Sequence, residues 1–117
     1  MAAIEFPRRG EVYWANLDPA VGTEMTKTRP VVIVSNDAGN QYSRRVIIAP
    51  LTSGGVQRVY RFEVPVSEGE AGLPHASKVA LDQIRAVDKQ RLGRRVGALS
   101  PDRMQQVDAA IRLSLAV

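Results

Sequence analysis

Residues 30–36, PVVIVSN, form an unbroken run of mostly β-branched apolar side chains opening on a proline. The run is too short for a comfortable helix and too apolar for a strand with one wet face, so it predicts a central strand covered on both sides. A proline cannot donate to a sheet ladder, which makes Pro30 the first residue of that strand. A central strand requires neighbours, and the chain supplies several short ones. GEVYWANL (10–17) sets Val12, Trp14 and, at its end, Asn16 against Glu11, Tyr13 and Ala15, with Asp18-Pro19 closing it. RVIIAPL (45–51) is a second apolar run, RVYRFEVPV (58–66) alternates Val59, Tyr60 and Phe62 with charges, and SKVALDQIRAVD (77–88) completes the set. The stretches TSGGVQ and SEGEAGLPHA carry the Gly, Pro and Ser of loops.

The period changes at the end of the chain. In SPDRMQQVDAAIRLSLAV, Ser100 suits the N-cap, Pro101 the first helical position and Asp102 the positive end of the helix dipole. Met104, Val107, Ile111 and Leu115 fall on one stripe, which predicts an amphipathic helix packed on the sheet. Short strands at close spacing followed by one helix predict a mainly β fold, a strongly bent antiparallel sheet or partly open barrel. At 117 residues, with no repeat or linker, the whole chain, 1–117, reads as a single domain.

Several classes of chemistry are excluded by what the sequence lacks. No apolar run approaches a membrane span, and MAAIEFPRRGE has no secretory apolar region, so the expected location is cytoplasmic. The absence of cysteine removes disulfides, thiol nucleophiles and cysteine-ligated zinc. The one histidine, His75, falls in a Gly/Pro loop and reads as an exposed loop residue; no HExxH or phosphate-cradling glycine pattern is present, so neither metal nor cofactor is expected. Aromatic residues make up only 5%, too few for a sheet that stacks successive bases, and Trp14 reads as core. Sixteen Lys and Arg against 12 Asp and Glu give a net charge of +4, and only Lys27, Lys78 and Lys89 are lysines. A polyanion is therefore a plausible partner, although a solvated basic face accounts for the charge as well.

The segments RGEVYWANLDPAVGTEMTKTRPVVIVSND, IIAPLTS and VALDQIRAVDKQRLG, in that order, closely resemble the MazF/PemK family of toxin endoribonucleases, the toxin halves of bacterial toxin-antitoxin pairs. The resemblance implies an SH3-like small barrel of the CcdB/PemK kind with a C-terminal helix. It further implies a homodimer that cuts single-stranded RNA, such as mRNA, at short sequences without a metal, inhibiting growth, and that is held in check by an acidic MazE-like antitoxin. By position, Arg29 matches the family's catalytic arginine and Thr52 its catalytic threonine. Glu24, Lys27, Ser53, Asp82 and Gln83 match positions on the RNA-binding surface. Some members carry a further catalytic arginine two positions before the acidic residue; here that position is Ala80.

These residue types suit RNA cleavage. Attack of a ribose 2′-oxygen on the adjacent phosphate gathers charge on two non-bridging oxygens, which a guanidinium meets as a planar fork and a threonine hydroxyl supplements. The expected products carry a 2′,3′-cyclic phosphate and a 5′-hydroxyl. The sequence assigns no general base: arginine stays charged at neutral pH, and Glu24 or Asp82 would lose basicity beside Arg29. On residue types alone the plainer reading stands, with Arg29 pairing Glu24, Thr52 bonding its own turn and Asp82 tying a loop. Two other function classes share the ground: a CcdB-like gyrase poison, whose Trp-Gly-Ile tail is replaced here by SLAV, and a non-catalytic RNA- or peptide-binding module.

Overall fold

The computed structural model describes residues 5–25 and 27–117; the first four residues of MAAIEFPRRGE and Thr26 of the MTK stretch lie outside them. Among the described residues seven strands form one antiparallel sheet: β1 (Glu11–Asn16), β2 (Thr28–Ile33), β3 (Arg45–Thr52), β4 (Glu63–Val66), β5 (Ser77–Ala80), β6 (Arg85–Asp88) and β7 (Leu92–Ala98). Their order is β4-β5-β3-β2-β1-β7, with β6 also on β3. A short helix α1 (Asp37–Tyr42) lies between β2 and β3, and helix α2 (Pro101–Leu115) ends the chain. Among the described residues no helix is long and apolar enough to cross a membrane.

The central position of the 30–36 run holds, and β2 lies between β1 and β3. Each face of the strand feeds a different apolar cluster. Val32 joins Val12, Ala49, Leu51, Val64, Val79 and Leu81 under α2, whose Val107 and Ala110 are buried there. Val31 and Ile33 join Ala15, Leu17, Val46, Ile48 and Val87 on the other face. The α2 cap is as expected, with the Ser100 hydroxyl accepting from the Arg103 N–H and Pro101 at the helix start. Leu115 corrects the expected stripe, since it is 55% exposed and Ala110 takes the inward place.

Four other expectations are corrected. Pro30 is the third residue of β2, not the first. The strand ends at Ile33, short of residue 36, and Asn36 instead caps α1, its side chain accepting from the Gly39 N–H at 2.8 Å. Only residues 63–66 of the 58–66 segment are strand; Glu63 instead closes a turn on Tyr60, and Val59 and Tyr60 are exposed. Trp14 is half-buried, and Val12 and Ala15 are the core residues of β1.

The 77–88 segment is two strands rather than one. Both run antiparallel along the same edge of β3, but the register slips between them. From Ile48–Arg85 to Leu51–Val79, β3 advances three residues while its partner covers six. The three surplus residues, Leu81–Gln83, form a 3₁₀ turn opposite Ala49 and Pro50. The Ile47 carbonyl accepts from Val34 on the β2 side, so strand alternation aims the backbone groups of Pro50 at the opposite edge. Proline has no N–H to donate there, and the ladder parts at the residue that cannot hold it. The seventh strand, LGRRVGA, escaped the sequence reading because its charged, glycine-bearing edge shows no alternation.

Candidate active site

Arg29 is placed by two prolines and a register. Val31 and Pro50 form the last pair of the β2–β3 ladder, and Arg29 and Thr52 lie two residues further along their strands in the same register. Both side chains share the face of Val31, away from α2, with the small Ala15 directly beside Arg29 on β1. The pair between these positions would be Pro30 and Leu51, where the Leu51 carbonyl points towards a proline nitrogen. The Arg29 guanidinium takes up that carbonyl, with Nη1 at 3.4 Å, and also reaches the Met25 sulfur at 3.6 Å. Pro30 thus vacates a ladder site that anchors the neighbouring arginine.

Thr52, half-buried at the end of β3, accepts the Gly54 N–H on Oγ1 at 3.1 Å. This is the turn bond of the plainer reading, and it is compatible with a role in chemistry. It occupies a lone pair and orients the hydroxyl, leaving the O–H to donate.

A cavity of about 290 Å³ opens between the loop segment Thr23–Met25 and the Leu81–Gln83 turn. Glu24, Asp82 and Gln83 line it, together with Met25, Pro50 and Arg85. Gln83 joins the two walls by accepting the Met25 N–H at 2.9 Å. Glu24 braces its own loop, accepting the Val21 N–H at 2.6 Å, and Asp82 is exposed. The two carboxylates therefore face one space, next to a guanidinium held by Met25.

The remaining candidates lie further out. Lys27 works through its backbone, at φ 67°. Its N–H meets Asp18 Oδ1 at 2.9 Å and its carbonyl receives Leu17, so it turns the loop back into β2 while its side chain is exposed. Ser53 faces away from Thr52 into a separate small cleft with Trp14, Pro30, Leu73 and His75. His75 is exposed, as the sequence suggested.

Arg85 was missed. It is half-buried, donates to the Leu17 carbonyl at 3.2 Å and presents a second guanidinium to the cavity. The signal lay in its spacing from Val87, which puts both on one face of β6. A larger cleft of about 590 Å³, lined by Phe6, Arg8, Tyr13 and Arg95, lies at the other end of this face and holds none of the candidates. Among the described residues no three His, Cys, Asp or Glu side chains converge as metal ligands.

Known proteins with this sequence and shape fall in one group. The family model for the PemK-like, MazF-like toxin of type II toxin-antitoxin systems matches residues 8–115. Endoribonuclease EndoA of Bacillus subtilis is 37% identical over 110 residues, covering 94% of this chain and 95% of that protein. Among solved structures, MazF from Deinococcus radiodurans superposes with a TM-score of 0.82 at 25% identity, covering 97% of this chain and 100% of that one. An endoribonuclease in complex with its cognate antitoxin, from a mycobacterial species, gives 0.78 at 27% identity, covering 95% and 96%. With the family pattern running through nearly every strand and the terminal helix, this chain belongs to the PemK-like, MazF-like toxins of type II toxin-antitoxin systems.

Proposed function

We propose that this chain is a toxin endoribonuclease that cuts single-stranded RNA by 2′-oxygen attack on the adjacent phosphate, leaving a 2′,3′-cyclic phosphate and a 5′-hydroxyl. The observation that carries this reading is that Arg29 and Thr52 occupy the same end and face of β2 and β3, with Arg29 bonded to Met25, which lines a cavity together with two carboxylates. The guanidinium clamps the phosphate and the threonine hydroxyl adds a neutral donor, both on strand ends that are rigid relative to the loops. Glu24, Asp82 and Gln83 then bind the nucleotide flanking the cut. Lys27 and Ser53, facing outward, contact RNA further along.

The matched mycobacterial endoribonuclease is seen with its cognate antitoxin. The same partnership suits this chain, in the cytoplasm and as a homodimer, with an acidic antitoxin tail drawn to its +4 charge and competing with RNA. The test is to incubate the pure protein with a long single-stranded RNA in excess EDTA and map the new ends. Cuts bearing cyclic phosphate and 5′-hydroxyl are expected, and one 2′-deoxy residue just 5′ of a site should block it. Products with a 5′-phosphate, or no cuts at all, would overturn the mechanism.

A further inference from the structure

The face that carries Arg29 and Thr52 continues across the sheet. Thr52 pairs with Lys78 of β5, and their neighbours Leu51 and Val79 point into the core under α2, so Lys78 stands on the same outer side as Thr52. Lys78 is nevertheless buried. Its Nζ donates to the Arg58 carbonyl at 2.9 Å and to Glu63 Oε1 at 3.0 Å, and lies 5.7 Å from the centre of the Tyr60 ring. Glu63 Oε1 also accepts the Tyr60 N–H at 2.9 Å, and the Glu63 N–H returns to the Tyr60 carbonyl at 2.9 Å. A desolvated lysine-glutamate pair is a poor source of stability, but it fixes geometry. What it fixes here is a turn.

That turn displays a flat aromatic surface. The Tyr60 ring, 46% exposed, stacks on Phe62 with centroids 5.5 Å apart and planes within 4°. The Arg58 guanidinium lies over the Tyr60 ring, 5.2 Å from its centroid, so a planar ligand stacking there meets the guanidinium plane together with the ring. An exposed ring whose backbone is already locked, with a guanidinium over it, loses little freedom when a planar ligand stacks on the pair. It also lies within one lysine side chain of the residue paired with Thr52.

We propose that Tyr60, supported by Phe62 and Arg58 and oriented by the Lys78–Glu63 pair, is a stacking platform for one base of single-stranded RNA close to the scissile phosphate. This subsite rests on Arg29 and Thr52 being the cleavage centre. Stacking explains an aromatic turn in a chain otherwise poor in aromatics, because a single platform needs only one exposed ring.

The test uses a labelled single-stranded RNA of all four bases, 2′-O-methylated throughout so that it is not cut, with binding read by fluorescence anisotropy. Tyr60→Ala should weaken binding by about tenfold, the loss expected of one base-aromatic stack. KM for cleavable RNA should rise by the same factor while kcat holds, and Tyr60→Trp should restore both. Wild type that cleaves, with Tyr60→Ala binding and cutting equally well, overturns the platform. So does a defect confined to an acidic peptide or to self-association. Wild type that binds through Tyr60 yet never cuts leaves the platform standing and removes the cleavage centre instead.

Discussion

Arg29 and Thr52 lie on one face of the sheet, each two residues beyond Val31–Pro50, the last pair of the β2–β3 ladder. The guanidinium is anchored on the Leu51 carbonyl, one bond from the backbone that carries Thr52. Clamp and hydroxyl are therefore positioned by the same strand end, and a shift of one moves the other.

Replacing Arg29 should separate charge from shape. Arg29→Lys keeps a cation but loses the planar fork, and Arg29→Ala loses both. Each should lower kcat by at least about a hundredfold, the usual cost of removing a transition-state donor. Circular dichroism should stay unchanged. A lysine variant with most of the wild-type rate would rule out bidentate clamping.

Pro30→Ala returns an N–H opposite the Leu51 carbonyl. The ladder should then close by one more bond and displace the Arg29 guanidinium from its anchor. Cleavage should fall by about tenfold, because small misplacements of a catalytic group are costly. The melting temperature should move by no more than about 5 °C, since the lost proline rigidity and the gained bond oppose each other. Wild-type activity in this variant would show that the carbonyl does not hold the arginine.

Gln83→Leu removes the acceptor that ties Met25, at the end of the loop after β1, to the turn at 81–83. Loss of one such bond, worth about 1 kcal/mol, should raise KM roughly fivefold and change kcat less. Steady-state kinetics on a short RNA decides this; an unchanged KM would mean that the loop is held elsewhere.

Glu70 and Arg103 pair through two parallel bonds, Oε2 to Nε at 2.9 Å and Oε1 to Nη2 at 2.8 Å, tying the 70–72 turn to the start of α2. Hydrogen bonding to Arg103 holds the Glu70 carboxyl below its ordinary value, and the same bond raises Arg103. A depressed carboxylate contributes stability above its unfolded pKa and loses it as pH falls through the folded one. Glu70→Gln should therefore lower the melting temperature by about 5 °C at neutral pH, as expected for roughly 1 kcal/mol. The difference should shrink towards zero in acid. A gap that persists below the carboxylate range would assign it to packing.

Much of this architecture was legible because its signals are local. The apolar run at 30–36 announced a central strand, and Ser100-Pro101-Asp102 announced the start of a helix. The 77–88 segment was harder, since its split depends on Pro50, a residue of another strand, and no local pattern reports that. Val59 and Tyr60 carried strand-like alternation into a turn because their partner is Glu63 rather than a neighbouring strand. In the candidate site, the family resemblance named Arg29, Thr52, Glu24, Asp82 and Gln83, and the fold sets the last three around one cavity. Arg85 and Met25 stayed hidden because both act through tertiary contacts, and Ser53 sits next to Thr52 in sequence but on the opposite face.

The slip opposite Pro50 has an evolutionary consequence. At that point β3 donates no backbone bond to its neighbour, and with Leu81 fixed in the core and Gln83 bonded to Met25 it is Asp82 that neither the ladder nor the packing constrains. The residue free to vary is one that walls the cavity. Descendants of this chain can reshape that wall at Asp82 without renegotiating how they fold, and the proline that interrupts the ladder is what keeps those two lines of selection apart.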